Sequence, residues 1–241
     1  MSNQNAQRSP DLKAVILAAG KEAIAGDAGP MVLRTLGDRK IIDYVLQNAL
    51  QVVSADDLHV IVGYEQAKVK AHLGPDYTYV VQKQQLGTGH AVLQMKSLLQ
   101  DFHGDLLILY GDTPLFRPAS IRGLINRHRL CQAHLTLLSA VVDRPLPYGR
   151  IIRDANHRIM DIIEEREASP EVREIRELNV GAYVVRAEYI FPALETLSPS
   201  PLDGDYRLTD CAHRLIRSGL RVESYQIYDQ DEVQGINTVE D

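Results

Sequence analysis

The sequence predicts an α/β fold in which a mostly parallel, mixed sheet is flanked by helices. Three observations carry that prediction. Short runs of purely apolar residues, strand-sized and unalternated, stand at 14–19 and 106–109, with a further short strand over 58–62, as strands covered on both faces require. Helical-period stretches separate them, which implies crossover connections between parallel strands. Beyond residue 135 the segments become strand-rich, so the second half is expected to mix in antiparallel pairing.

In order, the run over 14–19 ends at Gly20 and reads as a buried strand opening into a loop with no periodicity over 21–30. Ile41, Ile42, Val45, Leu46, Ala49, Leu50 and Val53 recur at helical spacing. A strand over 58–62, a polar-faced segment to Leu73 and a strand over 77–82 follow. Ala91, Val92, Met95, Leu98 and Leu99 mark a helix face, and 105–110 a further buried strand ending at Gly111-Asp112. Later strands are expected over 135–142, 149–153, 158–164 and 179–185, with helices over 188–197 and 206–218. No repeat or linker separates the halves, so one domain over 12–239 is expected behind a polar leader, 1–11.

Composition narrows the function classes. The 241 residues are 45% hydrophobic and 24% charged, within the range of ordinary globular chains. Lys and Arg number 26 against 32 Asp and Glu, a net charge of -6. The basic residues are scattered rather than striped, which argues against a nucleic-acid partner. No run approaches the ~20 apolar residues of a membrane span, and the N-terminus lacks the apolar core of a signal peptide. Cys131 and Cys211 form no C-x-x-C pair, so a cytoplasmic location is expected and neither a disulfide framework nor a zinc site is.

Ligands of open α/β sheets bind beyond the carboxyl ends of strands, and three strand ends stand out. Leu17-Ala18-Ala19-Gly20 is small enough for backbone N–H groups to approach a base or phosphates, or for a plain tight turn. Neither G-x-G-x-x-G nor G-x-x-x-x-G-K-[ST] is present. At Gly87-Thr88-Gly89-His90 a helix begins, with Thr88 placed to cap it and its N-terminus suited to an anion or a carbonyl-rich base. His90 is expected to be a satisfied helix-start histidine. At Tyr110-Gly111-Asp112 a single carboxylate ends a strand. It fits a turn residue, or a Mg²⁺ ligand, since that cation takes one or two carboxylates and completes its shell with phosphates. Glu164, Glu165, Glu167, Glu171 and Glu174 read as a solvated acidic stretch.

Taken together, these segments are similar to one family. LAAGK (17–21), Gln82 with QLGTGHA (85–91), LYGDTPL (109–115), YGRI (148–151), IRELNVG (175–181) and GIN (235–237) stand in the order of the uridyltransferase domain of the bifunctional N-acetylglucosamine-1-phosphate uridyltransferase/glucosamine-1-phosphate acetyltransferase family. QLGTGHA and YGD-x-PL in this order are specific to it; LAAG alone marks only the wider nucleotidyltransferase superfamily.

The resemblance implies a Rossmann-like fold that joins UTP to a sugar 1-phosphate and releases pyrophosphate, with Mg²⁺ as cofactor. By position, Leu17, Ala18, Ala19 and Gly20 line the nucleotide, Gln82, Gly87 and Thr88 read the uracil, and Lys21 and Asp112 serve catalysis. Tyr110, Gly149, Glu164, Asn179, Arg207 and Thr209 frame the sugar, and Asp112 and Asn237 hold the metal. The family's acetyltransferase module, a β-helix, is expected to be absent from this chain, and a monomer or weak oligomer follows from that expectation.

Two departures matter. Where the family reads G-K-G-T-R and then P-K-V-L, this chain has Gly20-Lys21-Glu22-Ala23-Ile24 and Pro30-Met31-Val32-Leu33, so an arginine and a lysine are replaced by Ile24 and Met31. Where the family reads G-E-Y-Y-x-T-D, this chain places Arg207. Two functions follow: an enzyme that reroutes its cationic help through Lys21, Arg34 or Arg207, with altered or reduced turnover, or a degenerate relative that binds a nucleotide or nucleotide-sugar without turnover.

Overall fold

A computed structural model describes residues 12–20, 29–143 and 146–233. The chain begins with β1 (Leu12–Ala18), a 3-10 turn at Met31–Leu33, the two-residue strands β2 (Thr35–Leu36) and β3 (Arg39–Lys40), and α1 (Ile41–Ala49). It continues through β4 (Leu58–Val62), α2 (Gln66–Leu73), β5 (Thr78–Val81), α3 (Thr88–Leu93), β6 (Asp105–Tyr110) and α4 (Pro118–Leu130). The second half runs β7 (Leu135–Val141), β8 (Gly149–Arg153), β9 (Ile159–Ile163), α5 (Pro170–Arg173), β10 (Glu177–Arg186), α6 (Ala187–Glu195), α7 (Leu208–Arg217) and β11 (Val222–Ile227), closing on a 3-10 turn at Gln230–Val233.

The main sheet has the order β11-β7-β10-β6-β1-β4-β5, with β8 and β9 extending from β10. Strands β6, β1, β4 and β5 are parallel, as expected from their unalternated apolar runs. Strand β10 is antiparallel to both β6 and β7, and β11 is parallel to β7, so the mixed pairing lies in the second half. Both faces are covered. Ala14, Ile16 and Ala18 of β1 pack with the α1 and α4 side, while Val15 packs with α3, α6 and α7.

The expected elements are present with two corrections, and further elements join them, the short β2, β3 and α5 among them. The helix face over 91–99 does not continue as one helix: α3 ends at Leu93, and the chain proceeds through three-residue turns, with Met95 N–H bonded to the Val92 carbonyl and Lys96 N–H to that of Leu93. The helix expected over 206–218 begins later, at Leu208. Helix α4 and strand β11 were not foreseen. Pro118 opens α4 at a position whose N–H needs no partner, and its buried Ile121, Leu124, Ile125 and His128 recur at helical spacing. Among the described residues no helix is long and apolar enough to cross a membrane.

One bulge shapes the functional end. The register of β10 against β7 shifts between Asn179 and Tyr183. Within it Gly181 has φ of +84°, and a Cβ there would lie 3.1 Å from the Tyr110 ring. The glycine is required by both backbone and space, and it carries the first residues of β10 past the end of β6.

Candidate active site

A cleft of about 400 Å³ opens at the carboxyl ends of the parallel strands, lined among others by Gly87, Thr88, Tyr110, Gly149, Glu164, Asn179 and Arg207. Seven of the residues singled out in the sequence, distant along the chain, are therefore brought to one concavity. Thr209 joins them through Glu164, whose Oε1 accepts its hydroxyl at 2.7 Å.

The floor is polar and aromatic. Asn179 Nδ2 donates to the Tyr183 hydroxyl at 2.6 Å, and the Tyr183 ring lies beside that of Tyr110, the two centroids 6.3 Å apart. Thr88 Oγ1 accepts the Leu208 N–H at 3.0 Å. Burial pushes the Tyr110 phenol up to about 12, and burial raises Tyr183 further still, so both remain protonated donors near neutral pH. The Tyr110 phenol lines the cleft, where a protonated hydroxyl can donate to a ligand. Asn179 Oδ1 is buried without a hydrogen-bond partner among the described residues. A buried acceptor of this kind is unfavourable until a donor arrives.

Thr88 caps a different helix from the one expected. It is the first residue of α3, yet its side chain accepts from the first turn of α7. The Gly87–Gly89 turn docks the 205–208 segment rather than presenting a free helix N-terminus: Gly89 N–H bonds the Tyr206 carbonyl at 2.7 Å and Tyr206 N–H the Leu86 carbonyl at 2.9 Å. Gly87 has φ of +91°, and a Cβ there would lie 2.7 Å from the Tyr206 carbonyl oxygen. Gly87→Ala is therefore expected to displace 205–207 and destabilise the fold by about 3 kcal/mol, lowering Tm by roughly 5–10 °C in a thermal melt. An unchanged Tm would show that the two segments part freely.

Gln82 lies behind this turn, 3% exposed. Its Nε2 donates to the Gly87 carbonyl at 3.1 Å and meets His90 Nδ1 at 3.0 Å. His90 is a satisfied histidine as expected, held between Gln82 and Gln94. Leu17, Ala18 and Ala19 end β1 alongside, where Gly111 N–H bonds the Leu17 carbonyl at 2.9 Å. A Cβ at Gly111 would come within 2.8 Å of the same oxygen. Gly20 is exposed, and Asp112 follows in the loop after β6. Lys21, Glu22, Ile24 and Asn237 lie outside the described residues.

The acidic stretch is not simply a solvated face. Glu164 and Glu165 line the cleft, and Glu165 pairs with Arg150 at 2.5 Å. Glu167 pairs with Arg207 at 2.6 Å, while Glu171 and Glu174 are exposed in the expected way, Glu171 accepting the Ser169 hydroxyl at 2.6 Å. Arg207 also meets Asp203 at 2.8 Å. Burial opposes its charge, but hydrogen bonds to Asp203 and Glu167 outweigh it and hold the guanidinium above its ordinary range. Clamped by two carboxylates, it forms an ordered wall rather than a free cation.

Met31, where the family has lysine, is buried and packs with Ile41 and Leu36. Among the described residues no three His, Cys, Asp or Glu side chains cluster as a metal cage.

The Nucleotidyl transferase family matches residues 13–230. The chain is 38% identical to the bifunctional protein GlmU of Pelotomaculum thermopropionicum over 227 residues, 94% of this chain and 50% of that protein. It is also 38% identical to the bifunctional protein GlmU of Limosilactobacillus fermentum over 224 residues, 93% of this chain and 49% of that one. It thus spans about half the length of the curated relatives it matches. Among solved structures, a UDP-glucose pyrophosphorylase complexed with UDP-glucose superposes with a TM-score of 0.75 at 17% identity, covering 92% of this chain and 93% of that one. A putative glucose-1-phosphate thymidylyltransferase from Bacillus anthracis in complex with a sucrose gives 0.72 at 21%, covering 90% and 87%. At these identities the superpositions establish the fold.

Proposed function

The chain belongs to the nucleotidyl transferase family, and from that premise we propose that it joins UTP to a sugar 1-phosphate, N-acetylglucosamine 1-phosphate or a close relative. A phosphate oxygen of the sugar 1-phosphate attacks the α-phosphorus of UTP, and the bond to the β-phosphate breaks to release pyrophosphate. The observation that carries the reading is the buried, unpartnered Asn179 Oδ1 in a cleft shared with the Glu164 carboxylate and the Tyr110 phenol. Two acceptors and one donor, fixed by their own partners, suit the hydroxyls and amide of a sugar better than an apolar ligand.

The residues divide by place. Glu164, Asn179, Tyr110 and the Gly149 backbone take the sugar, with Thr209 holding Glu164 and Arg207 walling the same side. The Gly87 and Thr88 backbone reads the uracil, with Gln82 fixing the Gly87 carbonyl from behind. Leu17, Ala18, Ala19 and Gly20 line the nucleotide, and Lys21 serves catalysis with its positive charge. Asp112 suits a cation whose remaining ligands are phosphate oxygens, because one carboxylate oxygen donor at a strand end matches what Mg²⁺ accepts from protein; Asn237 completes that set. Mg²⁺ bound there neutralises charge on the phosphates.

Charge that grows at the transferred phosphorus is ordinarily met by positioned cations. The burial of Met31 among apolar side chains supports a lowered turnover and keeps a second reading, nucleotide binding without turnover, in play. A pyrophosphate-release screen of the four NTPs against sugar 1-phosphates with Mg²⁺, run beside calorimetry, separates them. UTP is expected to bind at least about tenfold tighter than ATP, since a site built to hydrogen-bond one base leaves polar groups unpaired with another. Binding without release favours the second reading, and equal binding of UTP and ATP overturns uridine recognition. Cys131 and Cys211 are both free thiols, which accords with a cytoplasmic setting.

A further inference from the structure

Arg150 is among the largest fully buried side chains, 2% exposed, yet the reaction gives it no task. A guanidinium withdrawn from water needs compensating partners, and Arg150 takes them from two loops and the end of α5. Nη1 donates to the Leu146 carbonyl at 3.2 Å and to that of Tyr148. Nη2 meets Glu165 Oε2 at 2.5 Å, and Nε reaches the Arg173 carbonyl at 3.5 Å.

Those two loops form the sugar side of the cleft, which 147–149 and 164–166 line directly. The backbone reinforces the placement: Arg150 is in register with Ile163 on β9 and Leu178 on β10, so the neighbouring Gly149 stands opposite Asn179. Resting on the proposed sugar-phosphate reading, we infer that Arg150 is a positioning residue for the sugar subsite, fixing Gly149 and Glu164 through the loops it fastens without touching the substrate. The planar fork matters, because a lysine offers one ammonium where three directions are filled.

Fold stability and positioning give different results. Removing one partner of a buried ion pair is destabilising in itself, so Arg150→Met and the charge-retaining Arg150→Lys are examined together by thermal melts and steady-state pyrophosphate release, and KM is compared for variants whose melts show a folded chain. Both are expected to raise KM for the sugar 1-phosphate at least about tenfold, because small displacements of positioning groups weigh heavily on catalysis. KM for UTP is expected to stay within about twofold. Glu165→Gln, which loosens one link only, is expected to raise the sugar KM about threefold. Folded variants with unchanged KM for the sugar, or with both KM values raised alike, overturn the inference. Should the parent chain turn over no sugar phosphate, the functional reading fails by itself, and hydrogen exchange decides the positioning role. Arg150→Lys is then expected to speed exchange about tenfold or more at 146–149 and 164–167 and to leave 86–90 unchanged; unchanged exchange at the first two segments overturns it.

Discussion

Asp112→Asn is expected to lower Mg²⁺-dependent turnover about 10³-fold while leaving the melting temperature within a few degrees of the parent. The substitution preserves shape and removes one charge. A unit charge about 4 Å from its partner at an effective dielectric near 20 contributes about 4 kcal/mol, and 1.36 kcal/mol is a factor of ten in rate. The carboxylate stands directly after β6, whose Leu109 and Tyr110 are fixed by β1 on one side, with β10 pairing as far as Leu109 on the other, so its position is inherited from the most buried part of the sheet. Rates measured over a Mg²⁺ titration check the expectation. An asparagine variant with the parent's Mg²⁺ dependence makes Asp112 a turn residue and removes the metal from this strand end.

The same strand shows why much of the architecture was legible in the sequence. β1, β4 and β6 are covered on both faces, so their residues are almost all apolar, Lys13, His59 and Asp105 apart, and the strands announced themselves. Helix α4 did not, because Arg122, Asn126, Arg127 and Arg129 interleave with its five buried positions, and β11, whose residues are mostly half-buried, carried no unbroken run.

The candidate site was legible as motifs but not as contacts. Tyr110, Gly149, Glu164 and Asn179 converge as the motif order implied. That Thr88 caps α7, 120 residues away, depends on the docking of 205–208 against a glycine turn, which no local spacing encodes. The acidic stretch misled for a related reason. Glu165 and Glu167 look solvated in sequence, because their partners Arg150 and Arg207 arrive from other strands and loops. Arg150 itself, inside a recognisable YGRI, carried no signal of its burial.

The first loop is where sequence and chemistry disagree most, and it yields the expected gain of function. Glu22→Gly, Ile24→Arg and Met31→Lys made together restore three units of positive charge relative to this chain, one from each substitution. Charge recovered near a phosphate that becomes more negative in the transition state acts on turnover more than on ground-state binding. Pyrophosphate release is therefore expected to rise about 100-fold, with UTP affinity unchanged, when the cations together recover about 3 kcal/mol of such stabilisation. The structure divides that gain unequally. Met31 is 6% exposed and packs on Ile41, itself 1% exposed, so a lysine there must carry its ammonium out of an apolar cluster along its own stem. Met31→Lys alone is expected to lower the melting temperature and to add little rate, while Glu22→Gly with Ile24→Arg supplies most of the increase. Single, double and triple variants assayed for pyrophosphate release and thermal stability test both halves of the expectation. A triple variant that folds, binds UTP as the parent does and turns over no faster places the limit on the sugar side instead, where Arg207 sits clamped between Glu167 and Asp203. Arg207→Tyr then becomes the substitution that must recover the rate.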